Sequence, residues 1–391
     1  MQTRGIPRVN PIEFYGFRKD AYMIFHVVSL PHTQTTSAYV HCAYTEKVRK
    51  FCNMMKSLGH TVYLYASEEN EAECDELITC ITKEEQLELI GVAGPLDNGK
   101  AKFEMGLNYW DLMNNRATTC IMDRAKKTDF ICLIAGLCQK PIADALSGNI
   151  NVEFGIGYGG VFSNYRVFES YAWMHTIYGA QTGGNAAAAD GKYYDCVIPN
   201  YFEPKDFEFC AEKEDYFLFM GRLIDRKGYQ VAVEVCKILG KRLIIAGQGT
   251  PPEYGEYVGV VRAAERSRLM SRAQAVFVPT QYVGPFEGVS VEAMLCGTPI
   301  ITSDWGCFAE NNQHGKTGFR CRTMGEYVEA ARKVHTLDYA KIRQYALMNF
   351  SVERVKYQYQ DYFEQLETLW EKGFYSEWHG KHNRYCKIEV G

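Results

Sequence analysis

The chain has 391 residues, 47% of them hydrophobic and 23% charged, and its 43 Lys and Arg against 47 Asp and Glu give a formal charge of −4. That length is beyond the roughly 250–300 residues at which a single core stops growing, so two domains are expected and bulk disorder is excluded. The slightly acidic balance provides no basic field for a polyanion, so nucleic acid is not expected as a partner.

The 14 cysteines are scattered singly, with no C-x-x-C pair. Stretches such as Phe130-Ile131-Cys132-Leu133-Ile134 read as buried free thiols, which points to a reducing, cytoplasmic setting. The apolar run from Ala21 to Leu30 is interrupted by His26 and is too short and wrongly flanked for a signal peptide. No stretch approaches the ~18 apolar residues of a membrane span, so a soluble protein without a transmembrane segment is expected. Peripheral contact with a membrane surface is left open.

Tyr22 to Val28 reads as a buried strand, followed by a polar loop from Pro31 to Ser37 and a helical stretch ending at Leu58-Gly59. Thr61 to Tyr65 is the next strand, and strand, loop, helix, glycine and strand make a βαβ unit. Asp129 to Ala135 and Cys196 to Pro199 continue the alternation, Arg166, Glu169 and His175 are assigned to one helix, and Gly179 to Gly191 reads as a surface loop or short helix. A second series follows Pro204: Tyr216 to Met220, Leu243 to Gly247, Ala275 to Pro279 and Pro299 to Thr302 are four strands with helices between them. The expected organisation is therefore α/β, with one Rossmann-like domain over residues 1–204, a second over 205–350, and an amphipathic helical segment over 351–391 packing back toward the first.

Gly221-Arg222-Leu223-Ile224-Asp225-Arg226-Lys227-Gly228 places a guanidinium and an ammonium just past a buried strand, where α/β sheets bind ligands. Arg grips two phosphate oxygens with its planar fork and Lys adds a mobile point charge, so together they can neutralise a diphosphate. Tyr282-Val283-Gly284-Pro285-Phe286-Glu287-Gly288-Val289-Ser290-Val291-Glu292 follows another strand, and the helix opening near Val289 offers free amides and a positive dipole end to phosphate. Glu292 in its first turn can serve the helix dipole or accept hydrogen bonds from a ribose.

These two segments resemble the signature of the retaining, glycogen-synthase-like glycosyltransferases of the GT-B fold (family 4, glycosyl transferases group 1), G-R-x-x-x-x-K-G followed by E-P-F-G-x-x-x-x-E-A-M and C-G-T-P. The resemblance implies two Rossmann-like domains facing across a cleft, the first on the acceptor side and the second holding a nucleoside-diphosphate sugar. It implies a hexosyltransferase that needs no metal and no cofactor beyond that co-substrate, with a carbohydrate or other hydroxyl as acceptor. Arg222 and Lys227 would bind the diphosphate, Glu292 the ribose, and Gly221, Gly284, Phe286, Gly288 and Val289 the remainder of the donor. The chain departs from the pattern at two positions: Gly284 stands where the family has glutamate, and Glu287 where it has glycine. Three readings follow: Glu287 reaches the donor sugar from its new place, the loop has changed its sugar preference, or activity is reduced; retained activity is the expectation, because Arg222, Lys227 and Glu292 persist. A UDP-sugar is preferred over a GDP-sugar as the expected donor.

The first domain matches less closely. Its first βα loop, Pro31-His32-Thr33-Gln34-Thr35-Thr36, offers hydroxyl, amide and imidazole groups, with Thr35 a candidate for the cleft or a helix cap. Gly155-Ile156-Gly157-Tyr158-Gly159-Gly160 satisfies G-x-G-x-x-G, but it lies far from the first βαβ unit and reads as a cleft-lining loop rather than a dinucleotide site. His175 is the imidazole candidate for the donor-sugar side. No D-x-D triplet and no His/Cys cluster with metal-ligand spacing occurs. The competing readings are a nucleotide-sugar-binding protein that has lost catalysis, a GT-B glucosyltransferase acting on modified DNA bases, and a nucleotide-sugar epimerase.

Overall fold

The computed structural model describes residues 22–40 and 42–371. In the first half, strands β1 (Ile24–Val28), β2 (Thr61–Ser67), β3 (Glu76–Ile81), β4 (Phe130–Leu133), β5 (Ile150–Ile156), β6 (Tyr165–Phe168) and β7 (Asp195–Val197) alternate with helices α1 (Ala43–Ser57), α2 (Lys83–Ile90), α3 (Asn108–Met122), α4 (Lys140–Ala145) and α5 (Tyr171–Gln181). They form one parallel sheet in the order β3-β2-β1-β4-β5-β6-β7. In the second half, β8 (Phe217–Met220), β9 (Leu243–Ala246), β10 (Glu256–Gly259), β11 (Val276–Val278), β12 (Ile300–Ser303) and β13 (Gly318–Cys321) alternate with α6 (Tyr229–Leu239), α7 (Ala263–Arg272), α8 (Gly288–Leu295), α9 (Phe308–Asn311), α10 (Met324–Lys333) and α11 (Tyr339–Phe350). Their order is β10-β9-β8-β11-β12-β13, again parallel. These are two Rossmann-like α/β units, as the alternation implied.

The central strands are continuous apolar runs because helices cover both faces of a parallel sheet; β4, β8, β9 and β12 are buried at every residue. The second sheet has six strands rather than the four expected, since the outer strands β10 and β13 are polar and only partly buried. The assignment of Arg166, Glu169 and His175 to one helix is corrected. Arg166 lies on β6, and parallel pairing with β7 sets it opposite Asp195, whose carboxylate accepts from its Nε and guanidinium at 2.7 and 2.5 Å. This charge is buried because its partner sits on the adjacent strand, which the local pattern around Arg166 could not reveal. The helix α5 begins only at Tyr171, with the Ser170 hydroxyl accepting from the Trp173 amide at 3.0 Å. Exposed turns occupy Thr182 to Gly191.

The chain passes from the first core to the second between Tyr201 and Phe202, which pack into different clusters. It returns at Ser351, and the two crossings lie side by side: the Phe202 amide donates to the Phe350 carbonyl at 2.9 Å and the Val352 amide to the Phe202 carbonyl at 3.0 Å. After the return, α12 (Val352–Glu371) inserts Val355, Tyr359, Tyr362, Phe363 and Leu366 into the first core. Residues 372–391 of the expected C-terminal segment lie outside the described residues. Phe363 is fully buried, its ring 4.7 Å from that of Phe25 and 4.9 Å from that of Phe130. Truncation to Phe363→Ala opens a cavity in the first core and is expected to cost roughly 3–5 kcal/mol, read as a lowered denaturation midpoint. An unchanged midpoint would show that α12 does not hold the first domain.

Candidate functional site

In the second sheet, chain order reverses between the neighbouring strands β8 and β11, so the loops leaving their carboxyl ends diverge and open a crevice. One loop runs from Gly221 to Gly228, the other from Pro279 to Glu287 into α8. They are knitted at the backbone: the Gln281 amide donates to the Arg226 carbonyl at 2.9 Å. Gly228 has φ 72°, and a Cβ there would sit 2.1 Å from the Pro279 carbonyl oxygen. No other residue both takes that conformation comfortably and allows the loops to approach so closely. A third loop, after β9, joins through the Leu223 amide, which donates to the Gln248 carbonyl at 2.8 Å.

Lys227 reaches across the crevice, its ammonium 2.9 and 2.6 Å from the two carboxylate oxygens of Glu287. Burial pulls the lysine pKa down, but Glu287 outweighs it and holds Lys227 above the ordinary lysine value. Glu287 is the only non-glycine residue with positive φ among the described residues, at 57°. That explains why a glycine is the natural occupant there, and side chains in this region bear a strain of about 1–2 kcal/mol. The Gly284 position is explained by the same geometry: a Cβ on Gly284 would lie 2.4 Å from Glu287 Oε1 and 2.9 Å from its Cγ. The Glu287 side chain folds back over residue 284, into the space a side chain from that residue would enter. The two exchanged residues are therefore one coupled change, with the carboxylate retained in the crevice.

Arg222 is exposed at the mouth of a cavity of about 730 Å³, shared with Gly221, Gly247, Val260, Arg266 and Val289. Pro95 of the first half reaches this cavity from across the cleft. Glu292 lies near Gly288 and is ion-paired with Arg266 of α7, so a ligand hydroxyl would share the carboxylate with a guanidinium. Phe286 differs from its expected donor contact: its ring is buried in the second core, 6.3 Å from that of Phe202 and 5.8 Å from that of Phe350. The expected cleft residues fare unevenly. Thr35 is fully buried with its hydroxyl 3.2 Å from that of Ser29 and its backbone paired to Glu69 and Glu71. His175 is exposed on α5 between Tyr171 and Tyr178, ring centroids 6.3 and 6.0 Å away, rather than against the donor loop.

The residues that join the halves were not legible beforehand. The Ser170 hydroxyl donates to the Pro285 carbonyl at 2.6 Å, and the Tyr171 and Ala172 amides at the start of α5 donate to Glu310 of the second half at 2.9 and 2.8 Å. Beside them, Lys47 and Glu169 form a buried ion pair at 2.7 Å, and a Cβ on Gly157 would meet Glu169 at 2.3 Å and Pro285 at 3.2 Å. Gly157 thus allows the loop after β5 to meet the loop that carries Pro285, as a cleft-lining segment should. Ser170 carried a sequence signal as a helix cap; Glu310 carried none. Among the described residues no group of three or more His, Cys, Asp or Glu is placed to hold a metal ion, and no helix is long and apolar enough to cross a membrane.

Residues 214–337 match the family model for glycosyl transferases group 1. Glycogen synthase of Mycobacterium tuberculosis is 32% identical over 162 residues, which is 35% of this chain and 39% of that protein. The chain thus spans about two fifths of the length of that curated relative. Among solved structures, AviGT4, a glycosyltransferase involved in avilamycin A biosynthesis, superposes with a TM-score of 0.63 at 19% identity over 88% of this chain and 98% of that one. Anabaena HepE in complex with UDP and glucose gives 0.59 at 15% identity over 88% of this chain and 100% of that one. The chain has the GT-B fold, and residues 214–337 within its second domain are similar to the group 1 glycosyltransferases.

Two outcomes test the site's construction. Gly284→Glu alone should push Glu287 off Lys227 and crowd two carboxylates onto one ammonium, whereas Gly284→Glu in a Glu287→Gly background should be tolerated. A coupling free energy of at least about 1 kcal/mol is expected in the double-mutant cycle measured by denaturant unfolding, and strict additivity would refute the linked exchange. Glu153, behind the cleft loop, is held up at about 7 chiefly by burial, against hydrogen bonds from the Ser163 and Phe162 amides and Tyr158. An acid with a raised folded pKa keeps its proton longer in the native state, so its contribution declines as pH rises from 4.5 to about 7. Glu153→Gln should flatten stability across that window, and an unaltered pH profile of unfolding would contradict it.

Proposed function

We propose that the chain transfers a sugar from a nucleoside-diphosphate sugar to an acceptor hydroxyl with retention of anomeric configuration and without a metal ion. The observation that carries this is the convergence of Arg222, Lys227 and the start of α8 on one crevice at the switch point of the second sheet. The first amides of α8 have no partner within the helix and carry its positive dipole end, which suits a phosphate. The cavity beside Gly247, Val260 and Val289 would take the base and ribose, with Glu292 accepting from ribose hydroxyls. A UDP-sugar is the favoured donor over a GDP-sugar, and the UDP complexes of the Anabaena protein support that choice.

As the glycosidic bond breaks, negative charge grows on the departing diphosphate. Arg222, Lys227 and the α8 amides, already oriented, stabilise that charge at the transition state. Lys227 must loosen its hold on Glu287 to engage phosphate, and this releases the Glu287 carboxylate to the sugar hydroxyls. Front-face attack then follows, with the leaving phosphate accepting the acceptor proton. The contacts of Ser170 with Pro285, and of the Tyr171 and Ala172 amides with Glu310, would hold the cleft shut and keep out water, the competing acceptor. The singly placed cysteines, all 13 described ones free, support a cytoplasmic setting.

A second reading, a donor binder without turnover, is favoured by one observation: Glu287 already occupies Lys227. Donor hydrolysis separates the two, being present in the enzyme and absent in the binder.

Thermal melts with UDP-, GDP-, ADP- and dTDP-sugars should show a selective stabilisation that persists in EDTA, because binding to the native state raises apparent stability. Arg222→Ala and Lys227→Met should each lower turnover about 100-fold or more, the scale of losing one preorganised charge contact. Arg222 is exposed, so its variant should melt within about 2 °C of the parent. Full turnover in both variants would remove the assignment.

A further inference from the structure

A second cavity, of about 360 Å³, opens in the first domain at the carboxyl ends of β4 and β5. Tyr44, Phe103, Ile134, Leu137 and Tyr158 form its walls, and no charged side chain is among the residues that line it. The three rings make a continuous aromatic wall, Tyr44 lying 6.1 Å from Phe103 and 5.6 Å from Tyr158 between centroids. The hydroxyls that might look polar are already engaged: Tyr44 donates to the Gly157 carbonyl at 3.3 Å and Tyr158 to Glu153 at 3.3 Å. What remains for a ligand is chiefly ring faces and aliphatic carbon, with the Cys138 thiol and the neutral backbone of Ala135, Gly159 and Gly160 completing the lining.

The cavity adjoins the donor crevice. Gly157, whose carbonyl holds Tyr44, is the residue against which Pro285 of the donor loop packs. A molecule seated between Tyr44, Phe103 and Tyr158 therefore lies beside that loop, on the opposite side of the cleft from Arg222 and Lys227.

We propose that this cavity is the acceptor site and that it selects an uncharged acceptor presenting an apolar-faced ring. The assignment rests on the transferase reading and narrows it to a substrate class. A phosphate or carboxylate would have to shed its water against rings, aliphatic carbon and neutral backbone with no counter-charge in the lining, a loss that disfavours charged acceptors. A neutral ring instead gains dispersion contact and stacking on the aromatic wall. The volume is at the lower end of small-molecule sites, enough for one ring system and little more. The same faces suit an aromatic alcohol and the C–H face of a sugar, and the test separates the two.

Binding of naphthol, methyl glucoside and glucuronic acid to the full chain is measured by calorimetry without donor, and transfer to each is then measured with the donor that stabilises the protein. Binding of either neutral ring, with glucuronic acid inert, supports the proposal, and whichever ring binds identifies the source. Phe103→Ala should raise the acceptor Kd about tenfold, the scale of one lost ring face. Leu137→Glu, at a partly exposed rim position, should do the same by placing a charge at the mouth. Preference for glucuronic acid, or neutral-ring binding that neither variant weakens, overturns it. If neutral rings bind through Phe103 but no donor stabilises the protein, the cavity stands and the transferase reading fails. If a donor binds while every ring is refused, the reverse holds.

Discussion

The second sheet carries a crevice because its two central loops are forced together. With β8 and β11 adjacent and their connections leaving in opposite directions, the crevice above them is a consequence of topology. Its chemistry depends on Gly228, where the chain turns with positive φ against the Pro279 carbonyl. That approach fixes the span between Lys227 on one loop and Glu287 on the other. Their ion pair, the strained backbone at 287 and the bare backbone at 284 all follow from how close the loops are held.

Seen this way, the departure from the family pattern changes character. Read as letters, a glutamate and a glycine trade places three residues apart. In three dimensions the carboxylate reaches much the same space from the other side of a tight turn. The cost is a left-handed conformation for a branched-off side chain at position 287, and contact with the Lys227 ammonium offsets it. Lys227 is consequently neutralised within the crevice by Glu287, whereas Arg222 stands exposed at its mouth.

The second domain was legible because its two loops carry particular residue types at fixed spacing. Arg222, Lys227 and the start of α8 stand on loops whose lengths are set by the strands they follow. The α/β alternation was legible for a similar reason: buried parallel strands such as β4 and β8 are unbroken apolar runs. Polar outer strands carried no such mark, and β10 and β13 passed unnoticed. Arg166 was misassigned because its burial depends on Asp195, a partner 29 residues away on the next strand. Glu310 and Lys47 were invisible for the same reason, since each matters only through a group brought to it by tertiary contact. Phe286 shows the reverse: the motif sets it in the loop, but its side chain packs into the second core.

That inward Phe286 ring bears on how the molecule moves. Its neighbours Phe202 and Phe350 flank the place where the chain crosses twice between the halves, and those crossings are laced together by backbone hydrogen bonds. Two crossings bonded side by side tie the halves at one place, so any change in their relative angle would pivot there. Because the donor loop is wedged into that pivot, the angle and the loop's shape cannot vary separately. A ligand that reshapes the loop is felt at the hinge through direct packing, and a strain applied at the hinge is felt in the crevice.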